Sequence, residues 1–251
     1  MDTTFSALIV FGCLIAAVLL GRGLRRMLPQ EHLSADSRDV IKLAIGLVAT
    51  MSALVLGLLV SSAKGSYDTE RSEVIQMAAK VAFVDRVLTV YGPEAAEARD
   101  RFHDAVKEAV QQMWPKETRQ PAQLAPNAQA GNVVYGILQA LSPQNDAQRT
   151  LKEHAISVGI DIGELRSLLV AQSVPSISTP MLIILVLWLA VIFLGFSTLA
   201  PPNVTTILAL TVSAVAVSGA IFLILELDQP FGGVIRISSE PMVNALSQFA
   251  K

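Results

Sequence analysis

The chain has 251 residues, of which 52% are apolar and 16% charged; its formal net charge is -2 and its mean hydropathy +0.52. Soluble domains carry about 25% charged residues, so the composition excludes an ordinary soluble globule, and the small negative net charge with no strongly basic region excludes a nucleic-acid-binding surface. The single cysteine, Cys13, lies inside an apolar run and can form no disulfide within the chain.

The first apolar run, residues 5–21, is uncharged and is followed by Arg22, Arg25 and Arg26. A cleavable signal has its basic residues before the apolar stretch and a small-residue cleavage site after it. This pattern predicts a retained signal-anchor span over about 5–24. The second run, 43–63, predicts a span over about 41–63, since about 20 apolar residues cross a bilayer. Residues 180–225 contain no charged side chain. Pro201-Pro202-Asn203 divides them, because proline cannot continue a helix interior. Two spans result, about 181–199 and 204–226.

Between the pairs, residues 64–179 read as a polar helical insert. Val74, Met77, Ala78, Val81, Val84 and Leu88 recur at helical spacing and predict an apolar stripe on a helix over 71–91. Gly92-Pro93 ends it. The next helix, 94–114, places Phe102, Ala105, Ala109, Val110 and Met113 on one face, and Pro115 stops it. Residues 116–131 lack periodicity and read as a loop. A short apolar helix follows over 133–141. Ser142-Pro143 reads as an N-cap and first-turn proline for a last insert helix reaching about residue 174. In the tail, 227–251, Pro230 and Gly232-Gly233 force a turn, and Pro241 opens a final amphipathic segment. The predicted fold is an all-α membrane protein: a first hairpin over 1–63, the insert over 64–179, a second hairpin over 180–226 and a juxtamembrane tail, with four transmembrane helices in a two-plus-two layout.

The short loop 22–42 carries Arg22, Arg25, Arg26, Arg38 and Lys42. The positive-inside rule places it in the cytoplasm, with both termini and the insert outside.

Two segments carry a family resemblance. One follows the second span and reads Ser66-Tyr67-Asp68-Thr69-Glu70-Arg71. The other follows the fourth span and reads Glu226-Leu227-Asp228-Gln229-Pro230-Phe231-Gly232-Gly233, then Ile235-Arg236-Ile237-Ser238. Together with the four-span layout they resemble the bestrophin-like membrane proteins of bacteria. More distantly they resemble the bestrophins, pentameric anion channels with an S-Y-D/E-R-type segment and an acidic-x-x-P-F-G segment at these places. The detailed match covers about 15 residues. Thr69, Glu70 and Ser72 stand where bestrophins have aromatic residues. Val234-Ile235-Arg236-Ile237 stands where the acidic run of the bestrophin calcium clasp would begin. The resemblance implies a homo-oligomer in the bacterial inner membrane with small anions as the transported species. It also implies a cytoplasmic insert, opposite to the charge count.

Along the second span Ala49, Ala53, Gly57 and Ser61 fall four residues apart and share a helix face. Such a row serves close helix packing. By the resemblance, which lines the bestrophin pore with this span, it is also a candidate pore lining. Glu226 and Asp228 stand at a membrane boundary, either solvated or paired with Arg71 or Arg236. With Ser66, Tyr67, Asp68, Pro230, Phe231, Gly232 and Gly233 they form a candidate structural junction. Trp114 and Trp188 read as packing residues. His32, His103 and His154 are scattered and lack metal-ligand spacing, and no nucleophile or phosphate-binding motif is present. An enzyme, a metal and a cofactor are therefore not expected. Two functions remain: an oligomeric channel or channel-like protein, or a non-conducting membrane sensor or scaffold whose insert binds a partner.

Overall fold

The computed structural model describes residues 3–27, 29, 35–115, 128–172, 177–201 and 203–248. Ser34, Gln123 and Pro202, most of the predicted loop at 116–131 and the end of the last insert helix lie outside these. The described residues form helices and no strands. The helices are α1 (Thr3–Met27), α2 (Ala35–Tyr91), α3 (Ala96–Met113), α4 (Ala128–Gln139), α5 (Asp146–Gln172), α6 (Thr179–Leu199), α7 (Val204–Leu227) and α8 (Glu240–Gln248), with a 3-10 turn at Pro93–Ala95. Helices α1, α2, α6 and α7 are long and apolar enough to cross a membrane. At most 33% of the most apolar stretch of each is buried within the chain. The remaining apolar surface is what lipid or a second copy would cover.

The chain divides into two compact units, Met1–Ser66 with Ser176–Asp228, and Tyr67–Pro175 with Gln229–Lys251. In the first unit α1 and α6 approach so closely that no side chain fits at Gly21. A Cβ there would lie 2.5 Å from the Leu194 carbonyl oxygen and 2.9 Å from Ser197 Cβ. The close approach lets hydroxyls bond across the helices. Ser197 donates to the Val18 carbonyl at 2.6 Å, and Thr198 reaches the Gly21 carbonyl at 3.2 Å. Arg25 donates to the Ala200 carbonyl at the end of α6. Gly195 similarly admits Ile45 of α2, whose Cδ1 would be 2.4 Å from an added Cβ. Pro180 sits in the first turn of α6, and Asn203 caps α7 by accepting from the Thr206 N–H at 2.8 Å.

Helix α2 departs from the expected arrangement. A span ending at 63 and a separate helix from 71 are one unbroken helix of 57 residues. At about 1.5 Å per residue it is about 85 Å long, far more than the hydrocarbon core of about 30 Å. The hydropathy changes at Lys64-Gly65-Ser66, but no proline lies between Pro29 and Pro93 to stop the helix.

In the second unit the predicted stripe is the core. Val74, Met77, Ala78, Val81, Val84 and Leu88 are all buried, against Phe102, Val110, Met113, Leu138, Ala155 and Leu169 from α3, α4 and α5. A fully buried side chain of this kind contributes about 1.5–3 kcal/mol. Gly92, at φ +116°, makes the turn that an L side chain rarely adopts. Gln148 of α5 pins the turn by donating to the Tyr91 carbonyl at 3.0 Å. Its own backbone N–H is capped by Asn145 at 2.8 Å. The α5 helix therefore starts at Asp146 after an Asn145 cap, not at Ser142-Pro143 as expected, because the Asn145 side-chain Oδ1 is the acceptor that reaches the first-turn amide. Asp85 of α2 takes a two-point bond from Arg99 of α3 (Nη2 to Oδ2 3.1 Å), and Lys80 pairs with Asp161 of α5 at 2.5 Å. The Asp85 bond holds the Arg99 guanidinium above its ordinary pKa, and burial followed by nearby Glu94 raises the Tyr91 phenol.

Candidate functional site

The row Ala49, Ala53, Gly57, Ser61 lies on the part of α2 that belongs to the first unit. The buried seam of that stretch is Ile45, Ser52, Leu59 and Ala63. Four residues turn a helix by about 400°, so the small-residue row winds about 40° per step. It starts beside the seam and moves away from it. Exposure follows this geometry: Ala49 is partly covered, whereas Ala53, Gly57 and Ser61 are exposed. A Cβ at Gly57 would meet nothing within 4 Å. The chain itself thus leaves this face of α2 uncovered, and Gly57 and Ser61 are its members farthest from the seam.

The junction residues fall in both units. Ser66 ends the first unit's part of α2 and is partly covered; Asp68 and Arg71, in the second unit, are exposed. Tyr67 packs at the edge of the second unit's core. Glu226 is fully buried near the end of α7 and accepts a hydrogen bond from Thr3 Oγ1, in the first turn of α1. A helix N-terminus carries partial positive charge and favours a carboxylate there. The solvated alternative for Glu226 is thereby excluded. Asp228 is partly exposed.

The tail shows what Pro230-Phe231-Gly232-Gly233 does as a unit. Phe231 enters the second unit's core, and Gly233 takes φ +65° so the chain can turn back. The turn closes through Ile237 N–H to the Pro230 carbonyl at 2.7 Å. Trp114 locks it, donating from Nε1 to the Ile237 carbonyl at 2.8 Å and meeting Phe231 edge-on at 5.8 Å between centroids. Trp114 is therefore a packing anchor, as read from sequence. Arg236 projects from this turn and is exposed. Among the described residues no cluster of three His, Cys, Asp or Glu side chains is placed to hold a metal ion.

Sequence reasoning missed Thr3, Gly21 and Gln148. Thr3 looked like ordinary N-terminal sequence, and its role depends on a carboxylate 223 positions away. Gly21 carried a faint signal as a small residue at the end of an apolar run. Gln148 carried none.

A family model described as the Bestrophin-like domain matches residues 12–242. Two crystal structures of single-substitution variants of a bacterial bestrophin homologue from Klebsiella pneumoniae share the fold at 15% sequence identity. One covers 99% of this chain and 97% of that chain with a TM-score of 0.64; the other covers 100% and 99% with a TM-score of 0.65. No functionally curated protein matches the sequence. With the family match running through all four apolar helices, the chain belongs to the Bestrophin-like family.

Proposed function

We propose that the protein is a homo-oligomeric membrane channel of the bacterial inner membrane that passes small anions, with the Ala49, Ala53, Gly57, Ser61 face of α2 toward the oligomer axis. The observation that carries this reading is the uncovered face of α2 in a fold shared with a bestrophin homologue. A small, hydroxyl-bearing helix face left open by its own chain suits a water-filled path between copies. The four apolar helices would cross in a two-plus-two layout, before and after the insert. Purified protein in liposomes is expected to give chloride flux above empty vesicles. Absence of flux for any ion, from folded protein across pH and calcium, would instead favour a non-conducting sensor whose insert binds a partner.

For orientation we propose a cytoplasmic 22–42 loop, on its five basic residues. In intact cells carrying Cys13→Ala, an impermeant thiol reagent is expected to label Gln123→Cys and spare Ser34→Cys. The reverse pattern would place the insert in the cytoplasm, as the bestrophin resemblance implies.

For the junction we propose that Asp228 or Glu226 pairs with Arg71 or Arg236. Glu226 is buried on the Thr3 bond, and the test is made at Asp228, which is partly exposed. Double-mutant cycles of Asp228→Asn with Arg71→Gln and with Arg236→Gln are expected to show coupling of about 0.5 kcal/mol or more in one cycle. Strict additivity in both would mean that Asp228 pairs with neither.

A further inference from the structure

Five helices of the second unit, α2, α3, α4, α5 and α8, line a half-open cavity of about 260 Å³. Its walls are mostly apolar, with Met77, Val81, Val106, Met113, Val134 and Met242 among them, and Glu108, Gln112 and Arg166 supply its polar side chains. The space exists because small residues face it. Ala105 and Ala109 stand one turn apart on α3, and Gly159 and Gly163 do the same on α5. At Gly159 the neighbouring Leu138 already closes in, 2.8 Å from where a Cβ would lie, but a Cβ at Gly163 would meet nothing within 4 Å. The void therefore opens on the Gly163 side. Three of the six apolar wall side chains named are methionines, whose unbranched thioethers adapt to the shape of what they touch.

Arg166 follows Gly163 by three residues and brings a guanidinium to this lining. It is partly buried, and it makes no hydrogen bond or ion pair with any described residue. Burial lowers its pKa, opposed by a smaller pull from Glu108. Glu108 itself is exposed and accepts from Gln112 at 3.1 Å on its own helix. A partly desolvated cation without a bonded counter-charge is unfavourable, and a planar carboxylate meeting its two-pronged N–H edge relieves it. Phosphate binding normally recruits further cations or a helix N-terminus. Among the described residues of the lining, neither of these accompanies Arg166. An apolar cavity of about 150 Å³ takes one benzene, so this one suits a chain of about eight to ten non-hydrogen atoms.

We propose that this cavity binds a small aliphatic monocarboxylate of about six carbons, its chain among the methionine and valine walls and its carboxylate on Arg166. The site is separate from the α2 face, so failure of the flux assay would leave it untouched. The test uses full-length protein in a non-ionic detergent, equilibrium dialysis of labelled hexanoate against a detergent blank, and hexan-1-ol as the neutral comparator. One saturable hexanoate site per chain is expected, with hexan-1-ol binding more weakly. Arg166→Gln is expected to weaken hexanoate at least about tenfold, the loss of one charge-assisted pair, while hexan-1-ol changes less than about twofold. Gly163→Leu is expected to abolish binding of both by filling the space. Ala109→Leu fills it from the opposite wall if the first variant does not fold. Absence of saturable binding would overturn the proposal. So would hexanoate binding that survives Arg166→Gln, or that survives the cavity-filling variants.

Discussion

Replacing Gly21 by leucine is expected to lower the melting temperature of the purified protein sharply, while the same change at Gly12 leaves it nearly unchanged. Both glycines lie on α1 within an apolar run. At Gly12 a Cβ would meet nothing within 4 Å, whereas at Gly21 it would strike the α6 backbone at the Leu194 carbonyl. Backbone cannot swing aside as a flexible side chain can, so α1 and α6 must separate. Separation strains the packing by about 1–3 kcal/mol. It also breaks the Ser197 and Thr198 bonds to the Val18 and Gly21 carbonyls, worth about 0.6–2 kcal/mol each in a membrane protein. The combined loss, about 2–7 kcal/mol, is a large part of the stability of an ordinary domain. Thermal unfolding in detergent followed by circular dichroism checks it. Equal effects at both glycines would mean that the tight α1–α6 contact is not what holds the first unit together.

The features legible in the sequence were those that repeat. Charge-free runs gave four apolar helices, and the 3.6-residue period gave the stripe from Val74 to Leu88, all six members of which are buried. Pro93, Pro115 and Pro201 marked helix ends because proline acts locally. What failed to show was anything set by a partner distant in the chain. Lys64-Gly65-Ser66 looked like a boundary because polarity changes there, yet polarity alone does not break a helix and α2 continues through it. Asn145 rather than Ser142 caps α5, since an N-cap is chosen by backbone geometry that the residue type only permits. The bond from Thr3 to Glu226 needed the fold, because a carboxylate at the end of an apolar run reads equally well as solvated. The small-residue row was legible as a row, but its winding away from the buried seam became visible only once Ile45, Ser52, Leu59 and Ala63 were known to form that seam.

That winding yields the sharpest test of conduction, a contrast between Ala49→Asp and Ser61→Asp. Ala49 lies beside the seam and is partly covered; Ser61 is exposed and has turned far from it. Ala49 is the member of the row nearest the buried seam, so a carboxylate there is forced into partly packed surroundings, where an acid at mid-membrane costs about 2.5–3.5 kcal/mol on insertion scales. Ala49→Asp is therefore expected to yield little assembled protein. If Ser61 faces a water-filled axis, its carboxylate stays hydrated and each copy contributes one charge to a ring, and rings of this kind set ion selectivity. At about 10 Å and an effective dielectric of about 20, even one such carboxylate opposes an anion by about 1.7 kcal/mol, enough for more than a tenfold change. Ser61→Asp is expected to keep the parent's oligomer size on gel filtration while shifting the reversal potential under a salt gradient from anion-selective toward cation-selective. Loss of the assembly in Ser61→Asp as in Ala49→Asp would mean that Ser61 is packed or lipid-facing, and an unchanged reversal potential from an intact Ser61→Asp oligomer would place the ion path away from this face of α2.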